Sequence, residues 1–268
     1  MAIDAAGPGA VHVGTSGWTY DDWSGPFYPP GVRGAERLSY YAERFDTVEV
    51  NATFYRLPSA AIIASWNRRL PPGFQLVLKG SRLITHLRRL RDCAGALERF
   101  FRQAGALERL AVVLWQLPPT LERDPGLLAA FLAQLPRAVG RAPGRLGPGR
   151  RVPVRQGPVR HAVEFRHASW WSDDVQALLA RHGAAFVAVS HPELPAEVRP
   201  TGDLLYLRFH GLGPRRYDYD YGAGELRDWV RRVRPHLAGR TLYAFFNNDH
   251  RAHAPRNAET FRSLLAAR

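Results

Sequence analysis

Short apolar runs recur along the chain, each followed by a longer stretch in which apolar positions return every three or four residues. The short runs predict strands at Val11–Gly17, Thr47–Asn51, Phe74–Gly80, Ala111–Leu117, His161–Arg166, Ala185–Ser190, Leu204–His210 and Leu242–Asn247. The longer stretches predict helices over Ala35–Arg44, Ala60–Arg69, Ala94–Gln103, Pro125–Leu135, Asp173–Arg181, Glu225–His236 and Ala258–Leu265. Only the link between the sixth and seventh strands lacks a helical pattern. Val- and Leu-rich strands alternating with helices imply a parallel sheet covered on its outer side. Eight such units imply closure into a (β/α)8 TIM barrel, read here as a single domain. An open doubly wound sheet is the alternative. Gly14-Thr15-Ser16-Gly17 after the first strand lacks the GxGxxG spacing of a dinucleotide fold, and no organic-cofactor motif appears elsewhere.

In such barrels chemistry sits at the C-terminal ends of the strands. Side chains two residues apart on a strand share a face, so Glu49 pairs with Asn51, Glu164 with Arg166, and Arg208 with His210. The residue between each pair is apolar. Charged groups aimed at the outer helices would cost several kcal/mol of desolvation, roughly 2–7 for a polar group alone, so the charged set is expected to face the barrel axis near its mouth. Glu49, Lys79, Glu164 and His210 are the catalytic candidates. Asn51, Tyr55, Gln116, Arg166, Trp170, Arg208, Tyr217, Asn247 and Asn248 are the substrate-binding candidates. Lys79 is the only lysine of the chain, among 37 basic residues. A lysine loses its proton when buried and arginine does not, which suits a general base, an imine-forming amine or an anchor for an anion. The bland alternative is an ion pair of Lys79 with Glu49 or Glu164.

His86 and His250 follow strands three and eight and are placed to reach the same opening. No HxH pair or HExxH stretch is present. Glu49, Glu164, His210 and Asp249 remain as candidate ligands for a divalent metal. Most of the loop aromatics are expected to pack among themselves, whereas Arg215-Arg216-Tyr217 after strand seven is a better ligand candidate.

The formal net charge is +13, a field that attracts anions, phosphates and nucleic acid. Ala138–Arg160 carries six Arg, five Gly, four Pro and no acid. It reads as a flexible basic insert, either a flap for phosphates or a tolerated surface insertion. Cys93 is the only cysteine, more a packing residue than a nucleophile. It forbids an internal disulfide, and with no leader pattern and no long apolar run the expected location is cytoplasmic, away from membranes.

Five blocks carry a resemblance: Gly14-Thr15-Ser16-Gly17-Trp18, Glu49-Val50-Asn51-Ala52-Thr53-Phe54-Tyr55, Glu164-Phe165-Arg166-His167-Ala168-Ser169-Trp170, Tyr206-Leu207-Arg208-Phe209-His210-Gly211 and Phe246-Asn247-Asn248-Asp249. Together they resemble the YecE-like family, a domain of unknown function, from Val13 to Leu265. The resemblance implies a TIM barrel but no assigned reaction. The fold is similar in turn to xylose-isomerase and apurinic-endonuclease barrels, which bind metals through several His and acidic residues.

Three functions are weighed. The first is an enzyme, of hydrolase, lyase or isomerase type, acting on a small anionic or phosphorylated, sugar-like substrate. Glu49 or Glu164 would be its base, His210 its acid, and Lys79 and Arg208 its charge stabilisers. The second is nucleic-acid binding or processing. The third is a non-catalytic scaffold, expected to have its mouth plugged by Trp18, Trp170 and Tyr217.

Overall fold

The computed structural model describes residues 9–140, 156–215 and 217–267. Eight strands form one parallel sheet: β1 (Val11–Thr15), β2 (Thr47–Val50), β3 (Gln75–Lys79), β4 (Leu110–Gln116), β5 (Arg160–Glu164), β6 (Ala184–Ser190), β7 (Leu204–Phe209) and β8 (Thr241–Phe246). Each strand from β2 to β8 pairs with the next, and β8 pairs back onto β1. The ring follows sequence order, as a (β/α)8 barrel requires.

The outer layer is α1 (Glu36–Ala42), α2 (Ala60–Arg69), α3 (Ala94–Ala104), α4 (Pro125–Leu132), α5 (Asp173–His182), α6 (Ala223–Val233) and α7 (His253–Ala266). As the pattern predicts, residues 191–203 between β6 and β7 contain no helix. The helices form because each presents an apolar stripe to the sheet. In α3 that stripe is Leu97, Phe100, Phe101 and Ala104, all buried. Local chemistry fixes the ends. The Asp124 carboxylate accepts the Leu127 N–H at the start of α4, with Pro125 in the first turn. Gly183, at φ +66°, ends α5 in the left-handed conformation that favours glycine.

The seam between β1 and β2 is built differently from the other seven. Its ladder is reduced to one bridge, Ser16 to Glu49. The Tyr41 hydroxyl sits in the gap, accepting from the Thr15 N–H at 2.9 Å and donating to the Thr47 carbonyl at 3.1 Å. Gly14 makes this approach feasible, because a β-carbon there would lie 2.4 Å from the Thr47 carbonyl oxygen.

The basic insert needs one correction. Its ends are ordered: Ala138–Gly140 pairs antiparallel with Gln156–Pro158, and Arg160 opens β5. Residues 141–155 lie outside the described residues. Among the described residues no helix is long and apolar enough to cross a membrane.

Candidate functional site

Alternation along the strands decides what enters the barrel. Val77, Val112, Leu114, Ala162, Val187, Tyr206 and Phe245 form an apolar plug inside it. Two residues further toward the C-terminal end, the same faces carry Lys79, Gln116, Glu164, Arg208 and Asn247. Arg166 and His210 follow just past their strands.

Arg208 is the centre of this mouth. It is fully buried, and its guanidinium forks across two carboxylates, meeting Glu49 at 2.6 Å and Glu164 at 2.5 Å. Glu49 is completed by Ser16, whose hydroxyl donates at 2.7 Å, and by Tyr206, whose hydroxyl donates at 2.5 Å. Glu164 is completed by Arg166 at 2.6 Å and His210 at 3.1 Å. Burial alone would raise the Glu164 carboxyl, but Arg166, Arg208 and His210 outweigh it and hold the group well below the usual carboxylate range. Burial, with Arg166 adding to it, pushes His210 well below its ordinary value, so its ring is neutral at pH 7.

The ring sits between groups of opposite demand. The Asn51 amide N–H donates to the Asn247 side-chain oxygen at 3.2 Å, and the Asn247 amide nitrogen lies 3.2 Å from His210 Nδ1. At Nε2 the Arg166 guanidinium, which can only donate, lies at 2.9 Å, and the Glu164 carboxylate, which can only accept, lies at 3.1 Å. Asn51, Asn247, His210 and Glu164 thus form one contiguous polar chain, with Arg166 beside its buried end.

Lys79 stands apart from this saturated network. Its amine is half-buried, 4.5 Å above the Phe54 ring, and among the described residues it makes no ion pair with Glu49 or Glu164. Burial, with the Arg208 charge adding to it, lowers its pKa to about 8, against the partial pull of Glu164 and Glu49. Two guanidiniums balance two carboxylates, so the protonated Lys79 amine is a surplus positive charge. The Lys79 carbonyl is held by the Thr53 hydroxyl at 2.7 Å. Gly80 follows because the Trp115 ring would lie 2.3 Å from any β-carbon there. A π-turn over Leu83–Leu87 then brings His86 edge-on to Phe54, with ring centroids 4.9 Å apart. Burial, then the neighbouring Lys79 charge, depresses His86 to about 4.

Glu49, Lys79, Glu164 and His210 therefore converge, together with Asn51, Gln116, Arg166, Arg208 and Asn247. Tyr55 stands at the rim, largely exposed, beside Phe54. Tyr217 is 43% exposed with φ +67°. Arg215 is exposed, and Arg216 lies outside the described residues.

Two candidates are misplaced. Trp170 is fully buried outside the barrel: its ring stacks on Phe165 at 4.6 Å and its N–H donates to the Leu121 carbonyl. Asn248 is also buried on the outer side, donating to the Tyr219 carbonyl and the Asn257 side chain. It follows Asn247 directly, so the alternation turns it outward. Trp18 likewise packs against Trp66 of α2, so neither it nor Trp170 plugs the mouth.

The four metal candidates do not make a ligand set. Arg208 lies between Glu49 and Glu164 and takes the oxygens a cation would need. No group of three or more His, Cys, Asp or Glu is gathered as a metal site among the described residues. Sequence reasoning missed Tyr206 and Ser16 as partners of Glu49. Tyr206 was findable, since it lies two residues before Arg208 on the same face. Ser16 reaches Glu49 across the seam, a contact that no local pattern encodes.

The family described as Protein of unknown function DUF72 matches residues 12–268. The UPF0759 protein YunF of Bacillus subtilis is 23% identical, over 95% of this chain and 94% of its own length. A crystal structure of a DUF72 family protein from Thermotoga maritima superposes with a TM-score of 0.79 at 31% identity, covering 96% of this chain and 99% of that one. A second, from Enterococcus faecalis, is 18% identical with a TM-score of 0.75, covering 96% of each chain, and shows the fold alone.

Proposed function

Since the chain belongs to the DUF72 family of proteins of unknown function, we propose its function from the chemistry of its mouth: it is an enzyme that binds a small anionic or phosphorylated, sugar-like substrate there and moves a proton through the Lys79 amine. The observation that carries this reading is the amine itself, half-buried over the Phe54 ring and without a carboxylate partner among the described residues, where burial and the Arg208 charge lower its pKa to about 8. General acid–base groups work best with a pKa near the operating pH. Surplus positive charge in a recessed site stabilises an anion as it binds and as charge develops.

The roles differ from those expected of the residue types alone. Glu164, held well below the carboxylate range, is a poor base and serves as counter-charge to Arg208 and Arg166. Lys79 takes the proton-transfer role. Arg166, only partly covered at the mouth, meets the anionic group. Neutral His210, with both ring nitrogens engaged, holds Asn247 and Glu164 in place.

The test is thermal denaturation with inorganic phosphate and a panel of sugar phosphates. A ligand at about 100 times its Kd adds about 2.7 kcal/mol, which raises Tm by roughly 5–10 °C in a chain of this size. Wild type should show that rise, and Lys79→Met and Arg166→Met should each lose it while keeping the native circular dichroism. Retention of the full rise by both variants contradicts the reading. So does stabilisation by a DNA duplex and by no small anion.

A further inference from the structure

We propose that Lys79 forms a covalent imine with its substrate, so that the site takes an aldehyde or ketone that also carries a carboxylate or phosphate group. This inference rests on the proposed function above and narrows its substrate class.

Four features of the mouth support it. The Lys79 amine lies against an aromatic face, with Phe54 covering one side at 4.5 Å, and this shields it from water. Both buried carboxylates are already engaged: Glu49 by Ser16, Tyr206 and Arg208, and Glu164 by Arg208, Arg166 and His210. Neither is left to trap the amine as an ammonium. Cationic neighbours favour a neutral, nucleophilic lysine, and Arg208 and Arg166 supply them. Finally, the backbone at Lys79 is pinned by the Thr53 hydroxyl and by Gly80 against Trp115, which fixes the point from which the side chain reaches the mouth.

The step balances without an oxidant or reductant. The Lys79 nitrogen lone pair attacks the carbonyl carbon, and the carbon–oxygen π pair moves onto oxygen. The two amine protons leave with that oxygen as water, and a carbon–nitrogen double bond remains. His86 packs edge-on against the same Phe54 ring, near enough for the Lys79 charge to add to burial in lowering its pKa, and the protons pass from nitrogen to the departing oxygen through solvent. The substrate's anionic group meets Arg166 at the mouth.

A lone lysine makes the test direct. The full chain, without an added tag, is incubated at pH 8 with pyruvate, glyoxylate or glyceraldehyde 3-phosphate and sodium cyanoborohydride, then analysed by intact mass and peptide mapping. The borohydride supplies hydride to convert an imine into a stable secondary amine. We expect a single adduct on Lys79 with at least one of the three, formed at least about tenfold faster than with uncharged propanal, as binding of the anionic group requires. Inorganic phosphate should slow it, and Lys79→Arg should abolish it. Labelling confined to the α-amine overturns the inference, as does labelling of Lys79 that is no faster with the anionic carbonyls than with propanal. Glycerol 3-phosphate, which has no carbonyl, separates the two ideas. If it stabilises wild type but not Lys79→Met and no adduct forms, the imine is wrong and the anion site stands. If it gives no stabilisation and no adduct forms, both fall.

Discussion

Arg208→Met is expected to destabilise the barrel by about 3–5 kcal/mol at pH 7, the range for removing one partner of a buried ion network. The variant keeps an unbranched apolar stem and removes the charged head. Glu49 and Glu164, both wholly buried, then face each other without the guanidinium that separates them. Tyr206 and Ser16 still donate to Glu49, and Arg166 and His210 still meet Glu164, so the loss is that of the shared bridge.

The pH dependence carries a sign. In the native protein the Glu164 pKa is depressed, so the stability it contributes is fully present above its ordinary value of 4.5 and is lost as pH falls through the folded value. Without Arg208 that depression shrinks, and the deficit of the variant should narrow as pH falls below about 5. Guanidinium unfolding at pH 7 and pH 4.5 measures both effects. Adding Glu164→Gln to Arg208→Met should recover about 1 kcal/mol or more at pH 7, by removing one stranded charge. A single variant within about 1 kcal/mol of wild type would show that the bridge is dispensable.

Gly14→Ala is expected to destabilise by about 3 kcal/mol, the upper range of overpacking, and to lower Tm by roughly 6–12 °C. The added methyl would lie 2.4 Å from the Thr47 carbonyl oxygen and 2.9 Å from the Tyr41 hydroxyl. A carbonyl within β2 cannot rotate aside as a flexible side chain does. The strands must part, and the Tyr41 hydroxyl then loses its place between Thr15 and Thr47. Gly224→Ala is the control. It lies in the exposed first turn of α6 with nothing within 4 Å of the new methyl, and should stay within about 1 kcal/mol of wild type or gain stability. Equal Tm values for the two variants would mean that the seam gives way at little cost.

These effects mark how far the sequence discloses the structure. The strands were legible because their inner and outer faces are both covered, which leaves runs such as Leu110–Gln116 almost wholly apolar. Strand ends read one or two residues too long at Gly17, Gly80 and Arg166; at Arg166 the inward side chain continues past the end of the strand toward the mouth. The alternation that pairs Glu164 with Arg166 and Arg208 with His210 was local, and the structure sets Arg166 on Glu164 and brings Arg208 and His210 to that same carboxylate.

Trp170 and Asn248 were placed wrongly for related reasons. Trp170 lies in the turn beyond β5, where the alternation no longer holds, while the alternation past β8 turns Asn248 outward beside Asn247; each found a polar partner in a distant segment, at Leu121 and Tyr219. Division of labour among the charges was also illegible. Which of two carboxylates, two guanidiniums and one amine is left over depends on distances across the barrel, and here the answer is Lys79.

The most direct test of that answer is a pH titration of protein labelled with ¹³C only in lysine. One lysine gives one side-chain Cε resonance, with no assignment needed. A midpoint near 8 would establish an amine poised to lose its proton inside a cationic mouth. A midpoint above about 10, the ordinary lysine value, would mean a solvated or carboxylate-paired ammonium and would contradict the account.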